Sequence, residues 1–445
     1  MPTLKKTGIS RRDLIRAGTI GLLPLSGMSS RVWSSVDGNY SGKCLVTLQL
    51  DGGADVTQLC DPKINTPGEP KINNWADRAD PGQAGNIMYA PVADNEWLFN
   101  RFGADMLVVN GVDAQTNSHE TGRLFNWTGS NAEGKPSMSA LHAAFNSPDQ
   151  PLSYVVFGGT NRTSGIIGYN RFSNLEKLRS LAQPRNKTAE QLLRSDEEFG
   201  RVDFLVREDF SRLSAREFMN PRFRQSLARY DVARTSRDAF KALSDILPAR
   251  NELQGLEVFK MGDYEVRDDL KAQMQGALLV FKSGLGSAAD LAFHGFDTHD
   301  NHDPRHEELL FRVAGAVGYF WEYAEELGIA ERIMLVIGSD FGRTNFYNDG
   351  NGKDHWPVGS YIIMEKNAPW GNRVVGVTDD LHFAQRIDPT TLRESRDGVL
   401  ITPAHVHQAV QEYLGLDQYA RDIGLSLPGV ESLPLFDASL QTLGS

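Results

Sequence analysis

The sequence is poor in cysteine and in net positive charge. It contains 2 cysteines, Cys44 and Cys60, in 445 residues, and their spacing does not match a structural zinc motif. The two thiols either pair in an oxidising compartment or stay free and buried, and the sequence leaves both alternatives open. The formal net charge of −11 argues against nonspecific nucleic-acid binding, which needs a basic face. We therefore expect no nucleic-acid partner.

Long apolar runs are also absent, since no stretch reaches the roughly 20 apolar residues of a transmembrane helix. The short apolar run at residues 17–28 follows the arginine pair Arg11-Arg12. This order is typical of a twin-arginine export signal. We predict a signal peptide over residues 1–35, a passage through the twin-arginine export machinery, and a periplasmic or extracellular location without a stable membrane span.

Short apolar segments alternate with helical patterns in the remaining chain. Residues 43–50, 105–112 and 332–338 have the composition of buried strands. Residues 307–328 carry the apolar stripe of an amphipathic helix. This alternation predicts an α/β fold in which a mostly parallel central sheet lies between helices.

The predicted domain spans residues 40–425 and is followed by a C-terminal tail at residues 426–445. Residues 171–273 are rich in charge and in arginine and have a helical pattern. We predict that this segment is a helical insertion or cap. Its charged residues form either a solvated, salt-bridged face or a cap that helps to hold an anionic substrate.

Side chains that suit metal binding or catalysis follow several of the predicted strands. In chain order they are Asp51, Ser118, Asp297, His299, Asp340 and His355. The carboxyl ends of parallel strands meet at one edge of a sheet, so these side chains are expected to lie close together. Imidazole and carboxylate groups bind divalent metal ions. The sequence therefore predicts one or two ions, and zinc, magnesium, manganese, calcium and iron are the alternatives.

Other residues near this predicted edge have more than one interpretation. Ser118 lies at the start of a predicted short helix, where it acts either as a nucleophile or as a helix cap. His119, His302 and His306 are reserve ligands, whereas His294 is expected to pack inside a strand.

Several motifs together resemble one exported bacterial family. Besides the twin-arginine start, they are Leu50–Asp55, Ser118-His119, Phe296–His299, Ser339–Thr344 and Asp354-His355. In this order they resemble the family called "domain of unknown function 1501" over roughly residues 40–415. That family is similar in fold to the alkaline phosphatase and sulfatase superfamily. The resemblance implies a site with two metal ions and a serine, threonine or modified cysteine nucleophile.

The resemblance also implies a role for each matching residue. Ser118 is the nucleophile, Asp51 and Asp340 hold one metal ion, and a second ion is held by Asp297, His299 and His355. Arg343 is either a group that neutralises substrate oxyanions or a structural salt bridge. The sequence departs from the superfamily at Phe341, where a histidine ligand is common, and His119 or Asp55 are the alternatives that could compensate.

Two functional hypotheses follow from these residues. The first is an exported, metal-dependent hydrolase of phosphate or sulfate esters on a small molecule or a polymer. The second is a non-catalytic or degenerate relative that binds metal and acts as an envelope binding or assembly protein.

Overall fold

Strands and helices alternate along the chain, as the apolar patterns predict. The strands are β1 (Cys44–Asp51), β2 (Gly82–Ala84), β3 (Ile87–Tyr89), β4 (Met106–Asp113), β5 (Tyr154–Val156), β6 (Asn170–Arg171), β7 (Glu257–Met261), β8 (Tyr264–Asp268), β9 (Ala288–His294), β10 (Ile333–Ser339), β11 (Gly342–Arg343), β12 (His355–Trp356), β13 (Val358–Glu365) and β14 (Arg373–Val375). The α-helices are α1 (Asn95–Phe102), α2 (His119–Thr128), α3 (Met138–Asn146), α4 (Leu175–Ala182), α5 (Asp196–Ser214), α6 (Arg237–Ile246), α7 (Leu270–Lys282), α8 (His302–Glu326), α9 (Pro403–Tyr413) and α10 (Asp417–Asp422).

The computed structural model describes residues 39–159, 161–183, 195–216, 219–224, 226–227, 230 and 237–440. The predicted signal peptide at residues 1–35 lies outside the described residues. None of the described helices has the length and apolar character that crossing a membrane requires.

Eight strands form one central sheet in the order β14-β4-β13-β10-β1-β9-β5-β6. β1 lies inside this sheet and pairs in parallel with β10 on one side and with β9 on the other. β13 runs antiparallel to its neighbours β10 and β4, whereas the remaining pairs of the sheet are parallel. The prediction of a mostly parallel central sheet is confirmed.

Both faces of the sheet are covered, as the side chains of β1 illustrate. Every residue of β1 is buried. Val46 and Leu48 lie in the larger core, together with apolar residues of α7 and α8. On the opposite face, Leu45 lies in a second core with residues of α9, and Thr47 donates to the buried Asp290. The alternation of side chains along the strand thus joins two helical layers to one sheet.

The structure differs from the predicted elements in two places. α8 begins at His302, earlier than the predicted start at residue 307, because Asn301 adopts a left-handed conformation with φ of +45° that starts the helix there. The predicted helical insertion at residues 171–273 contains α4, α5 and α6, but it ends in the antiparallel hairpin of β7 and β8. Gly262, with φ of +61°, makes the tight turn between these strands.

The two cysteine thiols, Cys44 and Cys60, are buried and unpaired. The predicted C-terminal tail is also in contact with the domain, because Leu433 and Leu435 are buried in the second core. Apolar side chains of the last described residues therefore contribute to packing.

Asp290 is a carboxyl group buried in the middle of β9. It accepts a 2.6 Å hydrogen bond from Thr47 Oγ1 and a further one from the Tyr154 hydroxyl. Burial raises the pKa of Asp290 to about 6, since these hydrogen bonds only partly offset the desolvation of its charged form.

This raised pKa makes the stability depend on pH. Native Asp290 binds its proton more tightly than an unfolded aspartate, so the free energy of unfolding should fall as the pH rises through about 6. The shift from 3.8 to about 6 corresponds to roughly 3 kcal/mol at neutral pH. Asp290→Asn should remove the loss of stability between about pH 4 and about pH 6, which urea denaturation at about pH 4 and about pH 7 would measure. An unchanged pH dependence in Asp290→Asn, with exposed Asp263→Asn as the control, would contradict this assignment.

Candidate metal centre

Three imidazole rings face one carboxylate oxygen at the carboxyl edge of the sheet. The Nε2 atoms around Asp297 Oδ1 are those of His299 at 3.0 Å, His355 at 3.3 Å and His119 at 3.5 Å. Asp297 and His299 follow β9, whereas the other two rings come from α2 and β12. Segments far apart in the sequence therefore meet at one point.

The other ring nitrogen of each histidine, Nδ1, is held by an outer oxygen. The pairs are His119 with Asp340 Oδ2 at 2.5 Å, His299 with Asp354 Oδ1 at 2.6 Å, and His355 with the carbonyl oxygen of Asn117 at 2.7 Å. When Nδ1 donates to such an oxygen, the ring orientation is fixed and Nε2 is left to face inwards. Metal-binding histidines are commonly supported in this way.

His119 has the clearest free ligand atom of the three. Its Nε2 atom is buried and has no hydrogen-bond partner among the described residues. One potential ligand atom each from His119, Asp297 and His355 lies within 4.8 Å of the other two. Two imidazoles and a carboxylate are a donor set that suits zinc and similar ions, so the residues fit a divalent metal.

The charges at this centre support one another. The pKa of His119 is raised to about 9 because Asp297 and Asp340 stabilise its protonated form. Burial acts to raise the pKa of Asp297, but His119 and Arg343 outweigh it and hold the pKa well below its usual range. A metal ion would therefore compete with a proton for His119.

Asp340 is fixed by the backbone that follows β1. Its Oδ1 atom accepts hydrogen bonds from the N–H groups of Gly52 at 3.1 Å and Gly53 at 2.7 Å. Both glycines have positive φ, +117° and +88°, a region that side chains disfavour. The Gly-Gly pair thus allows two amides to turn towards one carboxylate.

Gly122 brings α2 against the end of β10. A Cβ atom at this position would lie 2.4 Å from the carbonyl oxygen of Asp340, so only glycine fits. Because Gly122 is in the first turn of α2, this close approach sets where His119 lies relative to Asp340.

Ser118 precedes α2 in an extended conformation, and its side chain makes no capping hydrogen bond. The residue is exposed. The Ser118 side chain therefore does not cap α2. Its hydroxyl, next to His119, is available for another role.

Arg343 is fully buried, and its guanidinium is directed at the protein itself. It donates to the carbonyl oxygens of Gly52, Gly53 and Lys353 and, over 2.6 Å, to Asp297 Oδ1. Arg343 thus forms a salt bridge that supports Asp297. A structural salt bridge was one of the two roles considered for Arg343.

Asp51 faces a different pair of side chains from those of the metal centre. One of its oxygens accepts from Arg123 Nε, and the other lies 2.6 Å from His294 Nδ1. His294 is exposed at the end of β9 and does not pack inside the strand, which corrects the expectation for this residue. The sequence predicted no role for Arg123, although its position four residues after His119 places both on one side of α2.

A known protein family matches most of this sequence. Residues 43–422 match the family described as "Protein of unknown function (DUF1501)". The chain belongs to the DUF1501 family. No curated protein is similar to it in sequence at a significant level.

Solved structures with a similar fold are distant from this DUF1501 protein. The sulfatase PsFucS1 from Pseudoalteromonas sp. is 10% identical with a TM-score of 0.38, and the alignment covers 91% of this chain and 73% of that one. A phosphonate monoester hydrolase of Agrobacterium radiobacter is 12% identical with a TM-score of 0.33, over 87% of this chain and 78% of that one. Membership of the family therefore rests on the sequence match.

Phe341 occupies the position at which the superfamily that this sequence resembles commonly has a histidine ligand. Its ring packs against two imidazoles of the centre, 4.7 Å from that of His119 and 4.6 Å from that of His355, measured between ring centroids. Of the alternatives proposed to compensate, His119 lies at the centre. Phe341 instead supplies an apolar wall against which both rings are oriented.

The other reserve residues, His302, His306 and Asp55, form a fully buried polar network. Asp55 Oδ2 accepts from Lys353 Nζ at 2.6 Å and lies 3.0 Å from His302 Nε2. The Asp55 N–H donates to His306 Nε2 at 2.9 Å. Burial lowers the pKa of both histidines, which favours the neutral form of each ring.

Thr298 connects this network to the metal centre. It lies between Asp297 and His299 in the sequence, and its hydroxyl is 2.7 Å from His302 Nδ1. Its carbonyl oxygen accepts from the Lys353 N–H at 3.1 Å. Sequence patterns do not single out Thr298 or Lys353, because their partners come from the segment after β1 and from α8.

Removal of Asp55 should test how much the network contributes to folding. Asp55→Ala would leave the ammonium of Lys353 buried without its carboxylate partner, and we expect a loss of about 3–5 kcal/mol in the free energy of unfolding. Asp77→Ala is the matched control, because it breaks an exposed pair with Lys71 and should change the stability little. Urea denaturation measures both variants. A similarly small loss for Asp55→Ala and Asp77→Ala would show that the buried pair does not stabilise the fold.

Proposed function

We propose that this DUF1501 protein is an exported, metal-dependent hydrolase of phosphate or sulfate esters. The observation that carries the proposal is the convergence of three Nε2 atoms on Asp297 Oδ1, each on a ring whose Nδ1 atom is held by an outer oxygen. Export by the twin-arginine machinery to the periplasm or the extracellular space is part of the same proposal and rests on Arg11-Arg12.

The residues that would hold a divalent ion are His119, Asp297 and His355, with His299 beside them. A bound ion would supply Lewis-acid stabilisation of the ester oxygens and lower the pKa of a coordinated hydroxyl or water. Asp340 fixes the orientation of His119, and Arg343 fixes Asp297 from the buried side. Asp51 was predicted to hold a separate ion together with Asp340, but its oxygens contact Arg123 and His294.

Ser118 is the proposed nucleophile. Its exposed hydroxyl precedes α2, where the first backbone N–H groups and the helix dipole favour a negative charge. Ser118 Oγ would form a bond to phosphorus or sulfur while the bond to the leaving oxygen breaks. The serine proton would pass to water, and the leaving oxygen would take a proton from water. A second water would then release the inorganic anion and restore the serine.

The metal centre can be tested by affinity without any substrate. Asp340→Asn keeps the shape of the side chain but weakens the support of His119 Nδ1, so zinc affinity should fall about 10–100-fold. Competition with a chromophoric chelator measures the affinity, and exposed Asp263→Asn is the control. An affinity in Asp340→Asn equal to that of the wild type would remove the proposed role of this support.

The reaction can be tested with aryl phosphate and aryl sulfate esters on the metal-loaded protein. Ser118→Ala should reduce turnover by at least about 10³-fold if the serine forms the covalent intermediate. Exposed Ser164→Ala is the matched control and should keep full turnover. Turnover that persists in Ser118→Ala would reject the nucleophile, and a metal-loaded protein that cleaves neither ester would reject the hydrolase.

A second candidate function is supported by the environment of Asp51 and Arg343. Both are committed to other protein groups, and among the described residues His119, Asp297 and His355 offer ligands for a single ion. A metal-binding envelope protein without catalytic activity would fit this arrangement. The same experiments separate the two functions, because such a protein would bind metal tightly and leave both esters intact.

A further inference from the structure

A second group of charged side chains lies at the carboxyl edge of the sheet, outside the candidate metal centre. Asp51, at the end of β1, contacts Arg123 Nε through one oxygen and His294 Nδ1 through the other. The carboxylate is mostly buried, with 11% of its side chain exposed, whereas the side chains of Arg123 and His294 are 38% and 67% exposed. The side chains of Arg123 and His294 are thus held by the mostly buried carboxylate of Asp51 and still reach solvent.

Arg123 and His294 each donate one hydrogen bond to Asp51 and have further nitrogen atoms that can donate. Within the described part of the chain, Arg123 Nη1 and Nη2 and His294 Nε2 make no hydrogen bond or ion pair. An arginine fork with two free amino groups suits the oxygens of a phosphate or sulfate. Arg343 has no such freedom, since its donors are bound to the protein.

The charge of the group also favours an anion. Arg123 is positively charged at every relevant pH. The hydrogen bond that His294 donates to Asp51 raises the pKa of His294, although burial and Arg123 act against it. The protonated group carries two positive charges and one negative charge, and Asp269 at the start of α7 is the further acidic residue near His294.

The position of Arg123 relates this group to the metal centre. Arg123 and His119 are four residues apart on α2, which corresponds to about 6 Å along the helix axis. The contact of His119 with Asp340 and the contact of Arg123 with Asp51 fix the two ends of this turn. A ligand at the metal centre would therefore have the free donors of Arg123 about one helical turn away.

We propose that Arg123 and His294, positioned by Asp51, form a binding subsite for a second anionic group of the substrate. The ligand class is an ester that carries another phosphate or sulfate group near the one that is cleaved. The link to cleavage rests on the proposed function, whereas the binding of an anion by this subsite does not.

Direct binding of inorganic sulfate tests the subsite without catalysis. The probe is sodium sulfate, titrated by calorimetry at low ionic strength into the full chain after the metal has been removed with a chelator. Arg123→Gln and His294→Gln should each weaken sulfate binding about tenfold or more. Arg162→Gln is the matched control, because Arg162 is exposed to the same extent, 38%, and its ion-pair partner Glu133 is on the surface.

The outcomes separate the subsite from its alternatives. Sulfate that does not bind to the wild type, or that binds equally to all variants, would overturn the proposal. Binding that is lost in His355→Ala but kept in Arg123→Gln would assign the anion to the metal centre and also overturn it. His294→Gln changes an exposed side chain, so it keeps the test valid if Arg123→Gln fails to fold, which circular dichroism would report.

Substrate preference tests the deeper part of the proposal. With the metal-loaded protein, the ratio of kcat/KM for a bis-sulfated ester over its mono-sulfated analogue should fall about tenfold in Arg123→Gln. An unchanged ratio would reject a second anionic group as the ligand. A protein that cleaves neither ester would reject the hydrolase but leave the sulfate-binding result to stand by itself.

Discussion

The ion pair between Arg343 and Asp297 is the interaction on which the whole edge of the sheet depends. A guanidinium with no exposed surface requires compensation for its lost hydration. It obtains this from three backbone carbonyls and one carboxylate. These partners belong to the loop after β1, the loop before β12 and the loop after β9. One buried cation therefore holds together the segments that carry the candidate ligands.

The histidines at this edge of the sheet have opposite roles because their surroundings differ. His302 and His306 lie in a sealed network, where burial favours the neutral ring and each nitrogen has a defined partner. His119 has two carboxylates near it and one nitrogen without a partner. The buried pair contributes rigidity, whereas the partly exposed ring is suited to bind a ligand.

The sequence was sufficient for the fold, and it named several of the residues that the structure brings together at the candidate site. Buried parallel strands are short apolar runs, and the polar residues that follow them must collect at one edge, which is how Asp297, His299, Asp340 and His355 could be found. The partners of each residue could not be found in this way. Asp51 and Asp340 both follow strands, yet the conformation of Gly52-Gly53 turns two amides towards Asp340, while Asp51 contacts Arg123.

Other parts of the structure lacked a sequence signal or had one that was outweighed. The hairpin of β7 and β8 lies in a charged segment whose helical composition dominates, although Gly262 marks its turn. Arg123 lies outside the motifs, and Thr298 lies inside one without a predicted role, because their contacts are made with side chains that other segments supply. Local patterns thus predict elements and their ends, whereas long-range pairing decides which side chain faces which group.

The close contact of Gly122 with Asp340 has a consequence for how this edge could diversify. The helix α2 cannot slide or tilt away from β10 without losing that contact. The position of the turn from His119 to Arg123 and the spacing between these two residues are therefore fixed. Related proteins with a different ligand preference would then differ in the loops around this turn. The spacing between His119 and Arg123 would stay the same in them.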